Sequence, residues 1–101
     1  EAARHLAERV LREVPQGSNF ERISRLIRLV LTREPTAEEL AVLDSTLTHY
    51  QQRYRSRPDD AANLLKTGES PADASLPASE IAAHAAIAGL LLNLDEALTK
   101  E

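Results

Sequence analysis

The chain has 101 residues, 43% of them apolar and 28% charged, with three glycines, no cysteine and a net charge of −4. That length fits one domain around one core, with a radius of gyration of roughly 13 Å if compact. Lack of cysteine excludes disulfides, thiolate metal sites, a thiol nucleophile and haem attachment through Cys-x-x-Cys-His.

The core material is aliphatic, with one Phe, two Tyr, no Trp and no Met. Leu and Ala lose little on entering a helix, so this composition suits helices better than strands. The first helix is predicted over Glu1 to Val14, because Ala3, Leu6, Ala7, Val10, Leu11 and Val14 form one stripe at three-and-four spacing. Pro15-Gln16-Gly17 ends it, proline for want of an N–H and glycine by a left-handed exit. Ser18-Asn19-Phe20-Glu21 is a capping box for the second helix, whose buried face is Phe20, Ile23, Leu26, Ile27, Val30 and Leu31, and which Glu34-Pro35 stops. Thr36-Ala37-Glu38-Glu39 is another capping box. It opens a third helix lined by Leu40, Leu43, Leu47, Tyr50 and Tyr54, with Val42 on one flank, and Pro58 closes it.

Asp59 to Thr67 reads as a short helix with Gly68 as its exit, and Glu69 to Leu76 as an exposed, loose loop. The last helix runs from about Pro77 to Leu98. It is apolar on two sides, with Ile81, Ala85, Ala88 and Leu92 on one and Ile87, Leu90, Leu91, Leu94 and Leu98 on the other. That pattern places it at the centre of the fold. Gly89, between the two faces, marks a close helix crossing. No run reaches the ~18 consecutive apolar residues of a membrane span. The expected architecture is therefore all-α, a compact bundle of four to five helices with a central, mostly buried C-terminal helix, forming a single domain over residues 1–101. The opening at Glu1-Ala2-Ala3-Arg4 reads as mid-helix, so the domain is expected to be excised from a longer protein.

Charge is unevenly placed. Residues 1–57 hold ten Arg against eight acidic residues, while residues 58–101 hold two Lys against eight. The two halves are expected to attract each other, with Arg22, Arg25 and Arg28 offering a face to the acidic residues from 58 onward. An acidic total disfavours nucleic acid. The stretch from Tyr50 to Arg57 does mix base with aromatics, yet Tyr50 and Tyr54 continue the Leu43/Leu47 stripe and more simply end the core.

Few residues offer chemistry. His5, His49 and His84 lie on three different helices with no metal-binding spacing, so structural or surface roles are the simpler reading. His84 interrupts an apolar helix and needs a hydrogen-bond partner if buried. Glu38, Glu39, Asp59 and Asp60 sit at helix starts, where the dipole favours negative charge. Asp95 and Glu96 near a helix end are unfavourable there, and with Asn93 they form a polar group expected to bond an arginine of another helix. His84, Asn93, Asp95 and Glu96 are the candidate binding residues. No nucleophile elbow or phosphate loop is present, no cofactor is expected in this chain, and an enzyme is disfavoured.

Three segments carry a family likeness: Glu1-Ala2-Ala3-Arg4-His5-Leu6-Ala7-Glu8-Arg9-Val10, the turn Arg33-Glu34-Pro35-Thr36 with Glu39-Leu40, and the ending Leu91-Leu92-Asn93-Leu94-Asp95-Glu96. Together with Arg22-Ile23 and Arg25-Leu26, the chain resembles the C-terminal part of a planctomycete-type domain of unknown function. That domain closes large proteins that also carry cytochrome-c-like modules. The resemblance implies an exported or periplasmic setting, with upstream domains of the same protein or another protein as partners. It implies no catalytic residues here, and the family's haem does not transfer to a chain without Cys-x-x-Cys-His. Ala97-Leu98 departs from the pattern, since similar sequences place a bulky aromatic there. On this reading the chain is a non-catalytic structural or interaction module. The alternatives are a contribution of polar residues to a shared hydrolase or redox active site, or nucleic-acid binding through Arg22 to Arg57.

Overall fold

The structure is a computed structural model that describes residues 2–66 and 71–99. It contains five helices: α1 (Ala2–Glu13), α2 (Asn19–Leu31), α3 (Ala37–Ser56), α4 (Pro58–Leu65) and α5 (Ala78–Thr99). Among the described residues there is no strand. The expected roles of Glu1, Thr67 and Gly68 and the start of the loop at Glu69 fall outside the described residues. The radius of gyration is 13.0 Å, as a compact chain of this length requires.

Local chemistry sets most boundaries. At the start of α2, Ser18 Oγ accepts from the Glu21 amide at 3.2 Å, and the Glu21 carboxylate accepts from the Ser18 amide at 3.5 Å. At the start of α3 the same reciprocal pair joins Thr36 and Glu39 at 3.1 and 2.9 Å. Both satisfy amides that have no partner within a helix. Pro58 is the first residue of α4, where a missing N–H costs nothing.

Two helix ends differ from expectation. α2 stops at Leu31, before Glu34-Pro35, because Thr32 turns left-handed at φ 54° and its amide donates to the Arg28 carbonyl at 3.1 Å. Gly17 has no positive φ; a side chain there would instead run into Val14 Cγ1, so the glycine is needed for space.

α5 is the hub and packs against all four other helices. Ile81, Ala82, Ala83, His84, Ala85, Ile87, Ala88 and Leu91 are all buried, and Val10, Ile23, Leu26, Ile27 and Leu47 close around them. A second cluster of Ala7, Leu11, Leu65, Ile81 and Ala85 joins α1, α4 and α5. Residues 78–98 are in fact long and apolar enough to cross a membrane by length and composition, with mean hydropathy 1.4. Burial by four neighbours over Ile81–Leu91 is the other circumstance that selects such a composition.

The centre holds only for the first part of α5. Beyond Leu91 the helix is less covered, and part of the second apolar side is open: Leu90 is 46%, Leu94 42% and Leu98 62% exposed, while Ile87 and Leu91 are buried. Phe20, expected inside, is 48% exposed. It sits in the first turn of α2 and lines a surface cavity with Val14, Glu21, Ser24, Arg25 and Arg28.

Candidate functional site

Two features stand out, a polar network inside the bundle and an apolar valley on its surface. The network centres on Gln51, which is polar yet buried because it continues the Leu47 stripe of α3. Gln51 and Asn19 exchange hydrogen bonds at 3.1 and 3.3 Å, joining α3 to the first turn of α2. Gln51 Nε2 also donates to Glu80 Oε1 at 3.0 Å, and Arg55 donates to Glu80 Oε2 at 2.9 Å, which ties in the start of α5. One turn further, His84 Nδ1 lies 2.8 Å from the Glu80 carbonyl. A carbonyl only accepts, so Nδ1 carries the proton. Nε2 then faces the interior as an acceptor and finds no hydrogen-bond partner among the described residues. Burial pushes the His84 imidazole below its ordinary value. The Glu80 carbonyl and carboxylate oppose that shift, and the charge of Arg22 adds to it. This arrangement pins three helices together and holds His84 neutral.

A further polar group links α1 to the loop that precedes α5. Arg4 and Glu8 form a buried pair at 3.3 Å, and Glu8 Oε2 accepts from the Asp73 amide at 2.7 Å. Asp73 accepts from Ser75 Oγ at 2.6 Å, from the Ser75 amide at 2.9 Å and from Arg12 at 2.9 Å. These bonds, Ser75 first, hold its carboxyl at about 2. Composition alone made this loop loose; Asp73 fastens it.

The valley runs between α3 and α5. At one end Val42, Leu43, Leu90, Leu91 and Leu94, with Glu38 and Glu39, line a cavity of about 360 Å3. Leu90 is shared with a second cavity of about 350 Å3, lined also by Arg4, Tyr50, Tyr54, Leu64, Gly89 and Asn93. Tyr50 and Tyr54 stack there, ring centroids 6.2 Å apart and planes 17° from parallel. The Arg33–Glu39 pair, at 2.6 and 2.8 Å, fixes the turn at the valley's acidic end and holds the Glu39 carboxyl at about 2, with help from the Thr36 amide. The two most distinctive stretches of sequence, 33–40 and 91–96, therefore meet across one groove.

The four candidate residues do not converge. His84 is fully buried in the first half of α5, Asn93 is exposed on the wall of the second cavity, and Asp95 and Glu96 sit on the outlying last turns. The helix is not buried at that end, contrary to expectation. Gly89 marks no crossing within the molecule, because a Cβ built there meets no atom within 4 Å beyond its own helix backbone among the described residues. His5 and His49 are exposed on separate helices, and among the described residues no group of three His, Asp or Glu could hold a metal ion.

The basic residues of α2 are engaged close to home. Arg22 donates to the Val14 and Pro15 carbonyls at 3.0 and 2.9 Å, Arg25 pairs with Glu13 at 3.0 Å and Arg28 with Glu34 at 2.9 Å. None of these partners lies beyond residue 58. Attraction between the halves comes instead from Arg12–Asp73 and Arg55–Glu80. Sequence reasoning missed Gln51, Asn19 and Glu80; the available signal was a polar residue four positions after Leu47, in register with the buried stripe. Comparison with known proteins returned no match: no family model, curated protein or solved structure is significantly similar to this chain.

Proposed function

We propose that this chain is a non-catalytic helical interaction module, docking through the α3–α5 valley onto another protein surface. The observation that carries this reading is the uncovered apolar face of Leu90, Leu94, Leu98 and Val42, continuous with two cavities. Contiguous apolar surface of this kind, rimmed by charge, is where proteins meet. Scattered exposed leucines would say nothing, but these recur every four residues on one helix. The setting implied by resemblance is the C-terminal part of a larger exported, cytochrome-c-associated protein, with the partner surface supplied by its upstream domains or by a second protein.

A shared active site is the second reading, favoured by one observation: Asn93 lines the same groove as Arg4, Tyr50 and Tyr54. His84, Asp95 and Glu96 do not line that cavity, so of the expected polar residues only Asn93 is placed for such chemistry. The test is the size and absorbance of the native gene product purified from its source. A product or complex well above 11.1 kDa supports the interaction module, and a Soret band supports the cytochrome-associated setting. A haem-free, monomeric 11.1 kDa product overturns both.

A further inference from the structure

We propose that His84 and Glu80 form an acid-operated latch: when the His84 ring takes up a proton, the start of α5 parts from α2 and α3 while the rest of the bundle stays folded. The geometry around the ring carries this.

In the closed bundle the ring is neutral and sealed in. His84 is fully buried, and Nδ1 donates to the Glu80 carbonyl one turn back at 2.8 Å. Nε2 has no hydrogen-bond partner among the described residues. A buried lone pair without a partner is tolerable; a buried charged donor without one is far more costly. Protonation at Nε2 creates both at once, a positive charge and an N–H with nothing to receive it.

The anion that could answer that charge is already in use. Glu80 Oε1 lies 3.8 Å from Nδ1, beyond hydrogen-bond reach, and it must move by roughly 1 Å to close on the ring. The same oxygen accepts from Gln51 Nε2 at 3.0 Å, while Oε2 accepts from Arg55 at 2.9 Å. Gln51 in turn holds Asn19 of α2. One carboxylate therefore serves the helix–helix staple when the ring is neutral and is drawn toward the ring when it is charged. No other helix relieves the demand. Arg22 of α2 repels the charge and is fixed on the Val14 and Pro15 carbonyls. Arg55 of α3 reaches the ring only through Glu80. The Arg4–Glu8 pair of α1 and Asp59 and Asp60 of α4 are not among the groups that act on it.

Position makes the opening local. Asn19, Ser79 and Glu80 are only half-buried, and Pro77, Ala78 and Phe20 are exposed, so water stands beside the staple. The main core of Val10, Ile27, Leu47, Ile87 and Leu91 does not include it. Parting the start of α5 lets water reach Nε2–H and leaves that core closed.

The experiment is a heteronuclear NMR titration of the full chain from pH 7.5 to 5. It follows the His84 ring, the side-chain amides of Asn19 and Gln51, and backbone amide exchange corrected for its intrinsic pH dependence. The expected result is that both side-chain amides shift with the midpoint of the ring. Exchange at Ile81 to His84 is expected to quicken ~10-fold or more, with Ile27 and Leu91 unchanged. His84→Gln is expected to leave Asn19 and Gln51 unresponsive over this range. Glu80→Gln, at a half-buried position, keeps an oxygen for Gln51 but withdraws the anion, and is expected to lower the midpoint of the ring. Side-chain amides that stay still while the ring titrates overturn the latch. So does loss of every dispersed resonance in one step with the ring, which is global unfolding. A ring neutral down to pH 5, or an unaltered response in His84→Gln, overturns it as well.

Discussion

Single residues carry opposite signs here, some strained and some unusually well placed. Thr32 is the one non-glycine described residue with a positive φ, and it is β-branched, the type that tolerates that region least. Its hydroxyl donates to the Leu31 carbonyl at 2.7 Å, which offsets part of the strain. Thr32→Gly is therefore expected to raise stability by about 1 kcal/mol, read as a higher urea midpoint at unchanged slope. A lower midpoint would mean that the hydroxyl contributes more than the backbone costs. His84 has the reverse character, since the fold suits only its neutral form. Its folded pKa lies below the ordinary 6.5, so the unfolded chain binds the proton more readily. The stability tied to neutral His84 is then complete above pH 6.5 and declines as pH falls below it. Urea midpoints measured from pH 7.5 to 5 are expected to fall, and His84→Gln to flatten that slope. An unchanged slope would show that His84 is not the group responsible.

Helices were legible where their boundaries depend on neighbours in sequence. Ser18/Glu21 and Thr36/Glu39 each close a capping box within four residues, so spacing alone revealed them. Thr36→Ala is expected to cost about 1 kcal/mol, measured by thermal or urea unfolding; no loss would mean that Arg33 holds the turn alone. In acid both this turn and the Asp73 loop should loosen. The Glu39 and Asp73 carboxyls sit at about 2, below their ordinary 4.5 and 3.8, so what they add is present above those values and lost toward pH 2. The features that sequence hid are all tertiary. Phe20 was placed inside because its spacing fits the stripe, yet its side chain is half exposed. Gly17 reads as a left-handed exit until the position of Val14 Cγ1 is known. Asp73 looks like loop filler until Glu8 and Arg12 of α1 close on it. Of the candidate residues, His84 was recognisable because a polar side chain broke an apolar run. What could not be read was how far the cover over α5 thins beyond Leu91, which leaves Asn93 and Glu96 exposed.

At the scale of the molecule, one helix divides its length between two tasks. Its first half, Ile81 to Ala88, is enclosed by four helices and stapled by the Asn19–Gln51–Glu80 network; its second half extends a row of leucines along a groove. The all-α bundle around a C-terminal hub was legible because apolar periodicity on nearly every side admits only a central position. The same pattern concealed the uncovered half, since a buried face and a docking face have the same composition. The most direct test is hydroxyl-radical footprinting of Val42, Leu90, Leu94 and Leu98 in the native gene product and in the isolated 101-residue chain, with Ile87 as a buried reference. The account predicts that these four side chains react in the isolated chain and are protected in the native product, while Ile87 is protected in both. Equal reactivity of the four in the two samples would contradict it.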